Sequence, residues 1–211
     1  MSKISLTPNA SGTGIFTVAS PNSSTDRTLT LPDETGTVLT DASTIASSAM
    51  PAGSVLQIVN VLTTAQGSQS LATETETVVT GLTFSVTPKG ANSKFLVQAR
   101  AFGECTGSWD VIYNILMNSV RVNIGGSTLA YAGLSMTTQT YGVVANDFST
   151  PEMLTISTLV STSSVVGTAI TFALAVTSSL SKTLYNNRCV GAPALVTEVG
   201  SSEIIVTEIA Q

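Results

Sequence analysis

Residues 82–94 read LTFSVTPKGANSK. Leu82, Phe84 and Val86 alternate with Thr83, Ser85 and Thr87, one apolar face against one hydroxyl face, which is the period of a half-buried β-strand. Pro88-Lys89-Gly90 then turns the chain. Residues 94–104 alternate again, with Phe95, Val97 and Ala99 opposite Lys94, Gln98 and Arg100. Two alternating runs joined by a turn predict neighbouring strands with one buried side.

The same reading extends outward from that pair. Strands are expected over 54–62, 76–87, 94–104, 152–160, 169–177 and 203–209. Residues 110–124 read as one long strand or as a pair broken near Met117-Asn118-Ser119. Weaker strands are expected over 129–131, 141–145 and 184–187, with turns at Gly125-Gly126 and Gly200-Ser201-Ser202. No helix longer than a turn or two is expected. Many strands with a turn every dozen or so residues indicate a sandwich or jelly roll over 54–211. In the closing strand Ile204 and Val206 lie on one face, Ile205 and Ile209 on the other. Two apolar faces predict cover on both sides. That fits an intersubunit seam through Ile204 and Val206, or a central strand inside one sandwich, and both readings stay open here.

Residues 1–40 have a different texture. Short strand-like runs at 3–6, 14–19, 27–31 and 37–40 are separated by Pro-, Asn-, Ser- and Gly-rich turns. Such a segment cannot bury a core alone. Its apolar residues, Ile4, Leu6, Phe16, Leu29, Leu31 and Leu39, are therefore candidates for docking on another body. Residues 41–53, DASTIASSAMPAG, read as a linker or as a short helical turn capped by Asp41.

Composition narrows the function. The 211 residues are 43% hydrophobic and only 10% charged, against about 25% charged in a typical soluble domain. Mean hydropathy is positive, yet no apolar run approaches the roughly 18 residues of a membrane helix. Membrane insertion is not expected. Hydrophobicity without a span favours an oligomer that hides apolar surface between subunits. The net charge of −5, with eight scattered Lys and Arg, argues against nucleic acid, which needs clustered cations. The N-terminal MSKISLTPNASG lacks the apolar core of a secretory signal. Cytoplasmic assembly followed by release is expected, with an ordinary cytoplasmic protein as the plainer alternative.

Catalytic chemistry is sparse. The chain has no histidine, so Ser-His and Cys-His nucleophile arrangements are excluded. No metal-ligand spacing occurs and no cofactor is expected. Glu74 and Glu76 would share a strand face about 7 Å apart, the beginnings of a glycosidase pair, but a solvated acidic edge is the plainer reading. Cys105 and Cys189 read as buried free thiols in a reducing cytosol, with a disulfide as the alternative. Trp109, flanked by Glu104 and Asp110, is suited to stack on a sugar or to pack at a strand start. Tyr131, Tyr141 and Phe148 lie in or beside the longest irregular stretch, 133–151. All four are candidate receptor contacts, and covering a neighbouring subunit is the competing role.

Several segments, in order, resemble the β-sandwich head that recurs at the C-termini of bacteriophage fibre and appendage proteins. They are Gly53-Ser54-Val55-Leu56-Gln57-Ile58, the run from Thr80 to Pro88, Asn92-Ser93-Lys94-Phe95-Leu96-Val97, residues 113–121 (YNILMNSVR), Leu184-Tyr185-Asn186-Asn187-Arg188, and the closing residues 202–211. Residues 26–40, DRTLTLPDETGTVLT, resemble the Leu-Pro-Asp-x-Thr-Gly-Thr segment common in fibres of marine and cyanobacterial phages. The resemblance implies an all-β chain: a short-stranded arm (1–40), a linker (41–53) and a trimeric jelly-roll-like antiparallel sandwich (54–211). It implies a non-enzymatic virion protein, a homotrimeric fibre or spike. The arm would dock on tail, collar or capsid proteins, and the head would meet host surface polysaccharide or protein. Fibres of this type are often much longer, with a repetitive shaft, so a compact appendage or a capsid decoration protein is the alternative.

Overall fold

The computed structural model describes residues 7, 9–15, 17–30, 33, 35–36, 45–107, 109–124, 132–139, 151–191 and 198–211, without the side chains of 109 and 135–139. The chain divides into two units, Met1–Asp41 and Ala42–Gln211.

In the first unit the described residues are turns and irregular chain. Asn9 makes an Asx turn, its Oδ1 accepting the Ser11 N–H at 3.0 Å and its carbonyl the Gly12 N–H at 3.1 Å. No strand runs through the described parts of 14–19 or 27–31, contrary to the alternation there. Alternation supplies a face but no hydrogen-bonding partner, and a strand needs both. Ile15, Val18 and Leu29 are largely exposed, Leu29 at 87%. The strands expected at 3–6 and 37–40 lie outside the described residues.

The second unit is all-β. A 3-10 turn at Ser47–Ala49, without a side-chain cap, stands in the segment read as a linker; Asp41 lies outside the described residues. The strands that follow are β1 (Val55–Thr63), β2 (Gly67–Leu71), β3 (Thr77–Val86), β4 (Lys94–Cys105), β5 (Trp109–Met117), β6 (Val120–Arg121), β7 (Ser135–Gln139), β8 (Glu152–Ser161), β9 (Ile170–Ser178), β10 (Lys182–Asn186) and β11 (Ser202–Ile209). All pairings between them are antiparallel.

The first sheet is organised by the long β4. One edge of β4 pairs with β8 along its length. The other pairs with β11 over Lys94 to Arg100 and with β10 over Gly103 to Cys105. Beyond β11 lies β1, and beyond β10 lies β2. The second sheet runs β3-β9-β5, and the far edge of β5 is shared by β7 and β6. The two sheets face each other. Phe95, Val97, Leu154, Ile156, Ile204 and Val206 of the first pack with Leu82, Val86, Tyr113, Ile115, Phe172 and Leu174 of the second. At the centre the rings of Phe95 and Phe172 sit 5.5 Å apart and tilted by 51°, within the range of favourable aromatic contacts.

Most expected strands appear within a residue or two of their predicted bounds. The run from 110 to 124 is a hairpin, turned at Asn118 and Ser119, both at positive φ (50° and 65°). That left-handed pair is what a two-residue hairpin demands. In β3, Val79 and Leu82 both point inward although three residues apart, because the register shifts between Val78 and Thr83. Gly81, at φ 83°, lies in that shift. Two strands were not foreseen, β2 (GSQSL) and β7 (SMTTQ). Both are short and carry little apolar alternation.

Candidate interaction surface

The readings made on individual residues meet different fates. Ile204 and Val206 are fully buried in the chain's own core, so the seam reading of these two is corrected. β11 is a central strand, paired on one side with β1 and on the other with β4. The face it turns outward carries Glu203, Ile205, Thr207 and Ile209. The backbone of Trp109 opens β5 opposite Gln139; its side chain, Tyr131, Tyr141 and Phe148 lie outside the described residues. So do Ile4, Leu6, Phe16, Leu31 and Leu39, while Leu29 is exposed.

The carboxylate pair does not form as a strand would hold it. Glu74 sits in a turn at φ 56°, its N–H bonded to the Ser178 carbonyl. Glu76 instead accepts from Arg121 Nε at 2.7 Å and Asn114 Nδ2 at 3.1 Å. The cysteines are both buried and free. Burial pushes the Cys105 thiol up to about 12; Lys182 opposes the shift, and Glu152 and Glu104 reinforce it. A thiol held protonated is a poor nucleophile at neutral pH.

The residue that sequence reasoning passed over is Glu208. It is fully buried on the core side of β11. Its carboxylate accepts from Lys89 N–H (2.9 Å), Gly90 N–H (2.8 Å), Ser93 Oγ (2.7 Å) and the Gln57 side-chain amide. Burial alone would raise its pKa. The bonds from Gly90, Ser93, Lys89 and Gln57 outweigh that and hold it below the ordinary carboxylate value. The charge anchors the β3–β4 turn, Pro88 to Ser93, to the last strand. Those bonds give it a structural role, holding this end of the sandwich together.

The outward face of the first sheet is different in kind. Register aligns its side chains in rows across β1, β11, β4 and β8. One row is Ile58–Thr207–Leu96–Leu159. The next is Asn60–Ile205–Gln98–Ser157, and then Leu62–Glu203–Arg100–Thr155. Val55 and Ile209 lie at one end, Phe102 and Met153 at the other. Val55, Ile58, Leu62, Met153 and Leu159 are each 48–65% exposed. Between the second and third rows a shallow groove of about 270 Å³ opens, lined by Gln98, Arg100, Thr155, Ser157, Glu203 and Ile205. Arg100 Nε and Glu203 Oε2 stand 3.3 Å apart, and Asn60 Nδ2 donates to the other Glu203 oxygen at 2.9 Å.

Over β5 and most of β9 the outward face of the second sheet is closed by its own chain. Ile112, Asn114, Leu116, Ala173, Ala175 and Thr177 point that way and all are buried. The Glu76–Arg121–Asn114 cluster lies on it, with the Ala132 carbonyl accepting from Asn114 Nδ2 and Arg121 at 3.3 Å each. Gly133 follows, and a Cβ there would stand 2.0 Å from Ile112 Cγ2. Asn114 Oδ1 and Thr177 Oγ1, both buried on this face, make no hydrogen bond among the described residues. In comparison with known proteins, no family model and no curated protein sequence matches this chain.

Proposed function

We propose that this chain is a structural virion protein of a bacteriophage, a homotrimeric fibre or spike. Residues 1–40 act as an arm that docks on the particle, and the sandwich contacts the host surface. The observation that carries this reading is the division of the chain into unlike units. One completes its own core from two sheets. In the other, Ile15, Val18 and Leu29 stand exposed, as suits a segment that finishes folding on a partner. The strand orders β1-β11-β4-β8 and β3-β9-β5-β7 are those of a two-Greek-key jelly roll, a fold used in virion architecture. The resemblance of residues 26–40 and 53–211 to phage fibre segments points the same way. Binding is multivalent: three modest head contacts add through effective concentration, without covalent chemistry.

Cryo-electron microscopy of intact particles tests the reading. Trimeric protrusions at tail or collar are expected, and isolated trimers should then bind host cells. Density lying flat over capsid subunit boundaries at high copy would replace the fibre with a shell decoration protein. Absence from the particle would sink the virion reading altogether.

A further inference from the structure

We infer that the outward face of the first sheet, β1-β11-β4-β8, is the surface through which copies of this chain assemble, with a second copy of the same chain as its occupant. The inference rests on the homotrimer in the reading above and names the surface that builds it.

The face is too apolar to stand in water by design. Ile58 at 65%, Val55 and Leu62 at 52%, Met153 at 49% and Leu159 at 48% exposure share it with the half-buried Leu96, Phe102, Ile205 and Ile209. Single exposed apolar side chains are ordinary, but a contiguous set on one flat sheet marks an interface. The strand at its border raises the stakes. β1 reads VLQIVNVLT, nine residues without a charge or a proline, and among the described residues β11 is its only strand partner. Such an edge invites pairing with other chains unless something covers it.

Size and charge select the occupant. Nine residues of strand and four strands give a footprint of about 30 Å by 19 Å, on the order of 600 Å² before side-chain relief is counted. That approaches the roughly 800 Å² that each partner buries in a stable complex. The only charges in the five rows are Lys94, Arg100 and Glu203, and the last two already pair. Two copies therefore meet with little like-charge repulsion, despite the net −5 of the whole chain. A nucleic acid or a strongly acidic surface finds no cluster of cations here. An obligate apolar face must be covered as the protein is made. The chain itself is the partner always present at matching concentration, and closed homo-oligomers are the common solution. The second sheet offers no comparable apolar surface. Over β5 and most of β9 its outer face is buried beneath its own Ala132–Gly133 segment and the Glu76–Arg121 pair. Over β3 it shows Thr80, Thr83 and Ser85, with Val78 the one exposed aliphatic side chain of that strand.

The test uses the full chain. Sedimentation and native mass spectrometry of the wild type at micromolar concentration should give a trimer. Ile58→Glu with Leu159→Glu places new charges at opposite ends of the apolar row. Self-association should weaken by about a hundredfold or more, leaving a folded monomer by circular dichroism. A wild-type trimer with a double variant that stays trimeric would overturn the surface and leave the homotrimer standing. A wild-type monomer would overturn both. Should the double variant not fold, thiol labelling decides. The thiol of Ser157→Cys, in the groove of this face, should react at least about tenfold more slowly than that of Ser85→Cys, at an exposed position on β3 of the second sheet. Equal rates would overturn the assignment.

Discussion

The four-strand face β1-β11-β4-β8 of the first sheet and the β5–β9 face of the second treat their outward side chains differently. The first sheet buries two carboxylates, Glu208 on its core side and Glu104 at its β10 end, where the Val190 N–H donates to it at 2.6 Å. Across β1, β11, β4 and β8 it turns Ile58, Leu62 and Leu159 outward. The second keeps an apolar core side and places its shielded ion pair, Glu76 with Arg121, on the outward face, where the chain covers it. A face that encloses polar groups has already been given its cover within the monomer. A face that leaves aliphatic side chains half exposed has not. The contrast therefore separates a surface finished by folding from one left for assembly.

The largest effect should come from the core-side carboxylate of the first sheet. Glu208→Gln removes an anion that accepts from three donors of the β3–β4 turn and from Gln57. It should cost about 3 kcal/mol at pH 7 in urea unfolding. The folded carboxyl is held below its ordinary value. Its contribution is therefore fully present above the unfolded carboxylate pKa near 4.3 and is lost as pH falls through the lower folded value. The gap between wild type and variant should shrink toward pH 3. A gap constant from pH 7 to 3 would mean that this carboxylate carries no folding charge.

Next comes the ion pair of the second sheet. Glu76→Ala removes the acceptor 2.7 Å from Arg121 Nε, in a pair whose side chains are only 23% and 18% exposed. We expect a loss of about 2 kcal/mol, below the roughly 3–5 of a fully buried pair. Replacing both partners, Glu76→Leu with Arg121→Met, should recover part of it. If Glu76→Ala proves neutral, the second sheet is not sealed as described and the contrast between the faces weakens.

How far this was legible in the sequence depends on whether a feature lives in one strand or between strands. The alternation of Leu82, Phe84 and Val86, and of Phe95, Val97 and Ala99, places strands because period two is a local property. The same parity puts Ser202, Ile204, Val206 and Glu208 on one face, so the apolar company of Glu208 was readable there. Which face of β11 turned inward was not, because both are apolar and only the neighbouring strands decide. β2 and β7 were unreadable for a related reason: they join sheets by backbone pairing to β10 and β5, with little side-chain pattern of their own. The Glu76–Arg121 pair spans 45 residues, and no local rule brings such partners together. Most of the candidate receptor contacts fell on residues outside those described. The candidate surface was found only once register aligned single exposed residues from four strands.

A smaller effect, opposite in sign, probes the closed face. Thr177 is fully buried there and its Oγ1 lacks a hydrogen bond among the described residues. Thr177→Val keeps the shape and removes the stranded hydroxyl. It should stabilise by about 1 kcal/mol in thermal or urea unfolding. A loss of similar size would show that the hydroxyl is bonded and the cover more polar than it looks.

The smallest effect belongs to the open face, and it bears most directly on the contrast. Arg100 and Glu203 stand 3.3 Å apart, with the arginine side chain 43% exposed. In a chain kept monomeric by Ile58→Glu and Leu159→Glu, Glu203→Ala should change unfolding free energy by less than about 0.5 kcal/mol, as exposed pairs do. In the otherwise wild-type chain the same change should weaken assembly, because the pair would then be desolvated between copies and its arginine left without its acceptor. A large cost in the monomer would place the pair among the groups that folding itself encloses, and the first sheet would then resemble the second. A negligible cost in both backgrounds would move the assembly surface away from the Leu62–Glu203–Arg100–Thr155 row, toward the apolar row through Ile58 and Leu159.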